Sequence, residues 1–269
     1  MSSLLRSPWR WIGGILFFVV VLLGAMILFW WWRQGPPTTQ MTRLRSWFDD
    51  PAAHADWSIA VGERCGDALM LLPTNGYIGF GWDDSFRPGH HHSGLDIFGP
   101  DDENGVTPIV ATYDGYLTRE ADWKSTVIIR HPDFPAVPAA GIAAGEQIWT
   151  YYTHMAARDG SESYVAPDFP PGTYEHFVEA GTLLGYQGNW GGSPWQLTGR
   201  HLHFSVVKSA TDGRYLDERE LANTYNPRFL LGLTPQRDGI LTCPAVYSFS
   251  EKAPWHNHEL KNRTGNASS

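Results

Sequence analysis

The hydrophobic and polar positions of this chain fall into two patterns, the first of which is one long apolar run. From Ile12 to Trp32 no residue is charged, and as a helix this run would be about 31 Å long, which matches the hydrocarbon core of a membrane. Tryptophans lie at both of its ends, as in an interfacial aromatic belt. A cleavable signal peptide normally has a shorter apolar region that ends in small residues, so the pattern predicts an uncleaved transmembrane helix.

In the second pattern, short apolar stretches alternate with polar residues. Alternation with a period of two is typical of β-strands that bury one face. Asp114-Gly115 lies between two such stretches and suits a tight hairpin turn. We therefore predict an all-β fold, a mostly antiparallel sheet preceded by one N-terminal transmembrane helix. The predicted strands cover 109–113, 116–119, 126–130, 148–154, 183–187 and 202–207.

Changes in composition divide the chain into four parts. We expect a short cytoplasmic tail and the membrane anchor over 1–33, and a polar, proline-containing linker of low order over 34–56. One folded domain is predicted over 57–250, followed by a disordered polar tail over 251–269. Positive charges lie on both sides of the apolar run, so their number does not decide its orientation.

The charge of the chain excludes one class of partner. The formal net charge is -8, and it becomes -11 when Arg6, Arg10 and Arg33 of the N-terminal part are left out. A nucleic-acid-binding domain would need a basic stripe or patch. No nucleic acid is therefore expected as a partner.

The two cysteines of the chain, Cys65 and Cys243, lie near the two ends of the predicted domain. In an exported protein a single pair of this kind can form a disulfide. Two separate buried thiols are the alternative, and the sequence leaves both open.

The chemistry of the chain centres on a strand that carries two histidines. His201 and His203 are two positions apart, so their imidazoles face the same way on an extended backbone. Leu202, Phe204 and Val206 would share the other face and lie in a core. Two imidazoles side by side on one face suit a metal site.

Two further motifs supply more candidate residues. His92-Ser93-Gly94-Leu95-Asp96 offers an imidazole and a carboxylate that a straight strand would hold about 13 Å apart. Both would have to come within roughly 2 Å of one zinc ion, and Gly94 allows the backbone to fold between them. The alternating run 149–154 delivers another imidazole, His154, at its end.

The order of these motifs, HxGxD, then YxH, then GxHLHF, resembles the M23 (lysostaphin/LytM-type) zinc metallopeptidases, which cut peptide cross-links in bacterial cell walls. The likeness extends over roughly 79–208. It implies a mostly antiparallel sheet with a narrow groove whose floor holds the metal. It also implies that His92, Asp96 and His203 bind Zn²⁺, while His154 and His201 act on the bound water and the scissile peptide.

The resemblance thus implies a zinc-dependent endopeptidase that hydrolyses peptide cross-links of peptidoglycan. Three protein ligands leave the fourth zinc position open, as expected of a catalytic site. The alternative is a non-enzymatic activator or scaffold for other cell-wall hydrolases, because some members of the family have that role. With the short N-terminal tail, the resemblance favours a single-pass protein of the cell membrane whose domain lies on the extracytoplasmic side. Its partners would be the peptidoglycan peptide and the membrane, and possible protein regulators are unknown.

One departure from the family pattern concerns a tyrosine. Some relatives carry a tyrosine a few residues before the first zinc histidine, where it stabilises the tetrahedral intermediate. Here Phe86 lies in that neighbourhood, and Tyr77 or Tyr152 could replace the missing hydroxyl. The sequence does not show which peptide bond is cut, nor which of His154 and His201 is the base.

Overall fold

The computed structural model describes residues 16–27, 39–85, 89–236 and 238–244, and it divides the chain into two compact units, Met1–Thr42 and Arg43–Ser269. In the first unit, residues 16–27 form helix α1 with exposed apolar side chains. No helix in these ranges is both long and apolar enough to cross a membrane. The other positions of the predicted span Ile12–Trp32 lie outside the described residues, as do 1–11 and the predicted tail 251–269.

Residues that the sequence predicted to be a linker of low order form helical structure. Helix α2 is Thr39–Asp49, and a short 3₁₀ helix follows at Ala52–Trp57. Leu44 and Trp47 of α2 are buried, and their spacing of three places them on one face of the helix. Four apolar residues among seven polar ones are a weak signal in sequence, but the Trp47 ring packs 5.9 Å from that of Tyr77 in the sheet.

Fourteen strands are present in the described residues, most of them short. Three more 3₁₀ helices connect them, at Pro138–Ala140, Leu221–Asn223 and Pro227–Phe229. The strands are β1 Ser58–Ile59, β2 Gly76–Phe80, β3 Leu95–Phe98, β4 Pro108–Val110, β5 Gly115–Thr118, β6 Val127–Phe134, β7 Glu146–Thr153, β8 His176–Val178, β9 Leu183–Tyr186, β10 Gly188–Trp190, β11 Leu197–Lys208, β12 Thr224–Tyr225, β13 Thr234–Pro235 and β14 Leu241–Thr242.

Ten of these strands form one sheet in the order β1-β2-β3-β11-β7-β6-β5-β8, with β10 and β12 also paired to β11. Two small sheets, β4-β9 and β13-β14, complete the domain. Every strand pair is antiparallel. The predicted fold class, a mostly antiparallel β protein, is confirmed for the described part of the chain.

The prediction of a hairpin turn at Asp114-Gly115 is wrong. β4 pairs with β9, whereas β5 pairs with β6 and β8, so the two strands flanking this dipeptide belong to different sheets. Gly115 is needed for another reason. A Cβ at this position would lie 2.5 Å from the Arg130 carbonyl oxygen of β6, so only glycine allows this close strand approach.

The two faces of the large sheet differ as the alternation of β11 predicts. Leu202, Phe204 and Val206 are fully buried in the main hydrophobic core. Their neighbours His201 and His203 point to the opposite face, which we call the site face. The Tyr151 and Thr153 side chains of β7 share that face, because they lie directly opposite Ser205 and His203.

The two cysteines are joined by a disulfide. Cys65 and Cys243 have their Cα atoms 5.2 Å apart and are separated by 178 positions. The bridge links the segment before β2 to the residue after β14. Of the two alternatives left open by the sequence, the structure therefore contains the disulfide.

Candidate metal centre

Three side chains bring their ligand atoms together on the site face. His92 Nε2 lies 2.9 Å from Asp96 Oδ1 and 3.0 Å from His203 Nδ1, and the Asp96 and His203 atoms are 2.8 Å apart. Ligand atoms around a tetrahedral zinc ion with bonds of about 2.0–2.1 Å would be about 3.3 Å apart. The triangle is therefore close to the size that one such ion requires.

Strand pairing positions two of these residues. Asp96 of β3 lies directly opposite His203 of β11. His92 reaches them from the loop before β3, where its backbone N–H donates to Asp84 O at 2.9 Å. A Cβ at Gly94 would lie 2.3 Å from Phe204 O and 2.4 Å from Ser205 Oγ. Gly94 is therefore needed because the loop passes so close to β11, and not because of a left-handed turn.

Hydrogen bonds fix which nitrogens of the two histidines face the cluster. Gly81 O lies 2.9 Å from His92 Nδ1, and because a carbonyl oxygen only accepts, that nitrogen carries the hydrogen. In the neutral ring, His92 Nε2 then presents a lone pair. His203 Nε2 lies 2.9 Å from Ser205 Oγ, which leaves Nδ1 facing Asp96. One ring nitrogen of each histidine and a carboxylate oxygen thus converge, and this donor set fits a bound cation.

The electrostatics of the cluster favour the protonation states that a metal needs at Asp96 and His203. At His92 they do not, because burial would lower its pKa, but the charge of Asp96 and hydrogen bonds to Asp96 and Gly81 O raise it. Burial alone would raise the pKa of Asp96, but the charges of His201 and His92 and hydrogen bonds from His201 and His203 hold it well below its usual range. Burial lowers the pKa of His203 and so favours the neutral imidazole. The Asp96 and His203 side chains remain 16% and 14% exposed, so the cluster is not sealed from solvent.

His154 and His201 lie next to each other beside this cluster. Their ring centroids are 4.4 Å apart, and His201 Nε2 is 3.4 Å from Asp96 Oδ1. Each donates from Nδ1 to a carbonyl oxygen, His154 to Trp190 O at 2.7 Å and His201 to Gly199 O at 2.8 Å. This leaves the Nε2 atom of each ring for proton exchange.

His154 has two features that the sequence does not reveal. Burial, followed by repulsion from His201 and His203, lowers its pKa to about 3, so the ring is neutral at physiological pH. Its backbone φ is +75°, a conformation that is uncommon for a residue with a side chain. Such conformations are found most often at functional sites, where the surrounding structure enforces them.

Tyr77 and Tyr152, which could have replaced the missing tyrosine hydroxyl, do not reach the cluster. Tyr152 points into the core, where its hydroxyl contacts both the N–H and the Oγ1 of Thr112. Tyr77 packs against Trp47 and Trp57. Phe86 lies outside the described residues.

Tyr151, which the sequence did not single out, lies on the site face with its ring 6.1 Å from that of His203. The alternation of the run 149–154 could have indicated it, had the register between β7 and β11 been known.

Comparisons with known proteins give weak similarities only. No family model matches the chain, and no curated protein matches it. Among solved structures, Csd3 of Helicobacter pylori is 20% identical with a TM-score of 0.34, over 75% of this chain and 44% of that one. The catalytic domain of the prophage-encoded M23 protein EnpA of Enterococcus faecalis is 20% identical with a TM-score of 0.31, over 52% of this chain and 87% of that one.

Lysostaphin, solved by NMR, is 16% identical with a TM-score of 0.32, over 68% of this chain and 64% of that one. This chain thus spans less than half of the Csd3 structure and less than two thirds of the lysostaphin structure. A likeness of this size says nothing about activity.

Proposed function

We propose that this chain is a zinc-dependent endopeptidase of the M23 type that hydrolyses peptide cross-links of bacterial peptidoglycan. One observation carries the proposal: His92, Asp96 and His203 offer three ligand atoms that all lie within 4.8 Å of one another, with two further imidazoles alongside. A purely structural metal site would leave His154 and His201 without a task.

Zinc is the cation that the donor set favours. Two imidazoles and one carboxylate are a ligand set of catalytic zinc sites, which keep a fourth position for water or substrate. When bound, Zn²⁺ supplies a Lewis acid that polarises a carbonyl group and lowers the pKa of a bound water to about 7. His92, Asp96 and His203 would hold it, and the charge of Asp96 would offset part of the charge of the ion.

The remaining histidines would perform the proton transfers. His154 and His201 both donate from Nδ1 to a carbonyl oxygen, which leaves Nε2 for proton exchange. One can accept the proton of the attacking water, and the same ring or its neighbour can return it to the leaving amine. The two carbonyl acceptors, Trp190 O and Gly199 O, hold these rings in the tautomer that this requires.

The location of the enzyme is a further part of the proposal. We propose that the apolar run Ile12–Trp32 anchors the chain in the cell membrane with the domain on the extracytoplasmic side, where the substrate lies. Protease added to intact spheroplasts should then remove the domain. Protection equal to that of a cytoplasmic control protein would contradict this topology.

The activity is tested with the full chain purified in detergent and loaded with zinc. Digestion of peptidoglycan from several chemotypes, with mass analysis of the products, should reveal new peptide ends. The His203→Ala variant serves as the control and should produce none. If the zinc-loaded chain leaves peptidoglycan intact but stimulates a second cell-wall hydrolase, and His203→Ala does so equally, the non-enzymatic alternative is correct.

A further inference from the structure

One carboxylate near the metal centre has no function in the proposed reaction. It belongs to Glu218, in the segment 209–223 that follows β11, which we call the Tyr215 loop. The loop is attached to β7, since Trp149 Nε1 donates to Ser209 Oγ at 2.9 Å and Gln147 Nε2 donates to Gly213 O at 2.7 Å. The Tyr215 loop therefore lies over the site face of the sheet.

Two tyrosine rings connect this carboxylate to the metal centre. The Tyr151 ring lies 6.1 Å from that of His203 on one side and stacks with Tyr215 at 6.3 Å on the other, at an interplanar angle of 27°. The Tyr215 hydroxyl donates to Glu218 Oε2 at 3.3 Å. The carboxylate is thus two ring contacts and one hydrogen bond away from a predicted zinc ligand.

The charge of Glu218 is not neutralised by an ion pair within the described part of the chain. The two arginines of the Tyr215 loop form ion pairs elsewhere, Arg214 with Asp212 and Arg219 with Asp217. Burial, with a contribution from Asp217, raises the pKa of Glu218, although hydrogen bonds and the charge of nearby Arg219 act in the opposite direction. A cation from outside would stabilise the charged form.

The tyrosines add to the preference for a cation. Burial, followed by the charge of Glu218, raises the pKa of Tyr215. Aromatic rings attract cations, and the Tyr151 and Tyr215 rings lie between His203 and Glu218. The negative charge of the whole domain also favours approach of a cationic group.

We infer that Glu218, Tyr151 and Tyr215 form a subsite that binds a primary ammonium group of the substrate peptide. A compact ammonium can pair with a single carboxylate while it contacts an aromatic ring. This inference rests on the proposed function, in which the substrate is a cell-wall peptide, and such peptides contain a diamino acid. It implies that the enzyme distinguishes peptides with a free amine from those in which that amine is blocked.

The test measures binding and not cleavage, so it does not depend on turnover. Synthetic stem tetrapeptides with lysine as the diamino acid are titrated calorimetrically into the full chain in detergent, with the metal removed by a chelator. One peptide has free amines, a second is acetylated on the lysine side chain, and a third on its N-terminal amine. The acetylated pair shows which of the two amines is the ligand.

We expect acetylation of one of the two amines to weaken binding at least about 10-fold, as the loss of a charge-assisted hydrogen bond does. Glu218→Gln should bind all three peptides at that weaker level. The matched control is Glu220→Gln, which removes the same charge from an exposed position of the same loop and should keep the wild-type ratio.

Equal binding of the three peptides by the wild-type chain, or no measurable binding, would overturn the subsite. So would an equal effect of Glu218→Gln and Glu220→Gln, since it would indicate only the general acidity of the loop. A chain that cleaves peptidoglycan but shows no preference for the amine would lose this inference and keep the proposed function.

Discussion

At the scale of single residues, the site depends on which nitrogen each imidazole turns toward the cluster. His92, His154 and His201 donate from Nδ1 to the carbonyl oxygens of Gly81, Trp190 and Gly199. His203 differs, because its Nδ1 is the nitrogen that faces Asp96. Strand alternation places His201 and His203 on the same face, whereas the hydrogen bonds show that the two rings turn different nitrogens toward the cluster.

Substitutions should therefore separate metal binding from proton transfer. His203→Ala removes a ligand atom and should lower zinc content and activity together. His154→Ala and His201→Ala should keep near-stoichiometric zinc yet lose turnover by about 10²-fold or more, as expected for a general acid or base. Zinc analysis by plasma mass spectrometry and a cross-link cleavage assay on the three variants test this. If His201→Ala lost its metal while His203→Ala kept it, the two roles would have to be exchanged.

At the scale of the elements, the distance between β3 and β11 determines whether the cluster can form. Gly94 lies where the loop before β3 meets the backbone of β11. Asp96 and His203 are paired across the same two strands. A change that separates these strands by a few tenths of an ångström would move one ligand away from another.

Gly94→Ala should accordingly weaken both folding and zinc binding. The new Cβ would collide with Phe204 O and Ser205 Oγ, and overpacking of this kind typically costs about 1–3 kcal/mol. Gly199→Ala is the control, because its Cβ would meet only Phe98 Cε1 at 3.7 Å. Urea unfolding and zinc affinity of both variants check the prediction, and equal behaviour of the two would contradict it.

His131 of β6 makes the stability of the sheet sensitive to acid. Its Nδ1 donates to Asp114 O at 2.7 Å, and its Nε2 lies 2.8 Å from Thr150 Oγ1 of β7. Burial lowers its pKa from 6.5 to about 4. The unfolded chain therefore binds a proton that the folded chain does not, so the free energy of unfolding should fall as pH drops from about 6.5 to about 4, by about 3 kcal/mol.

His131→Gln retains a donor and an acceptor but does not titrate. Its stability should therefore fall less than that of the wild type over the same pH range. Urea midpoints of the metal-free proteins between pH 4 and pH 7 give the comparison, since chelation removes any effect of the metal. Parallel losses in the two proteins would show that His131 is not responsible.

The sequence predicted some elements well and others poorly, for physical reasons. β11 was evident because its apolar and polar residues alternate, which reflects one buried and one functional face. β2 was missed because all five of its residues are buried, so there is no alternation to detect. The positive φ of His154 and the approach of Tyr151 to His203 depend on tertiary contacts, which a pattern along one strand does not contain.

At the scale of the whole molecule, the disulfide connects the beginning and the end of the folded domain. In the chain-entropy model, a bridge across 178 positions stabilises the fold by about 5 kcal/mol through restriction of the unfolded chain. The Cys65→Ser/Cys243→Ser variant should lose stability of this order. Its unfolding should be insensitive to reductant, whereas the wild type should be destabilised by it. Recovery of both cysteines as free thiols from protein made in an oxidising compartment would contradict the bridge.

The distance along the chain between the ligands has a consequence for the order of events during biosynthesis. His92 and Asp96 are 111 and 107 positions away from His203, and the strands that carry them become neighbours only when the sheet is assembled. Contacts between such distant segments form late, because the entropy of closing a long loop opposes them. A newly made chain that is still unfolded therefore has no complete metal site, and the proposed activity can begin only where folding is completed.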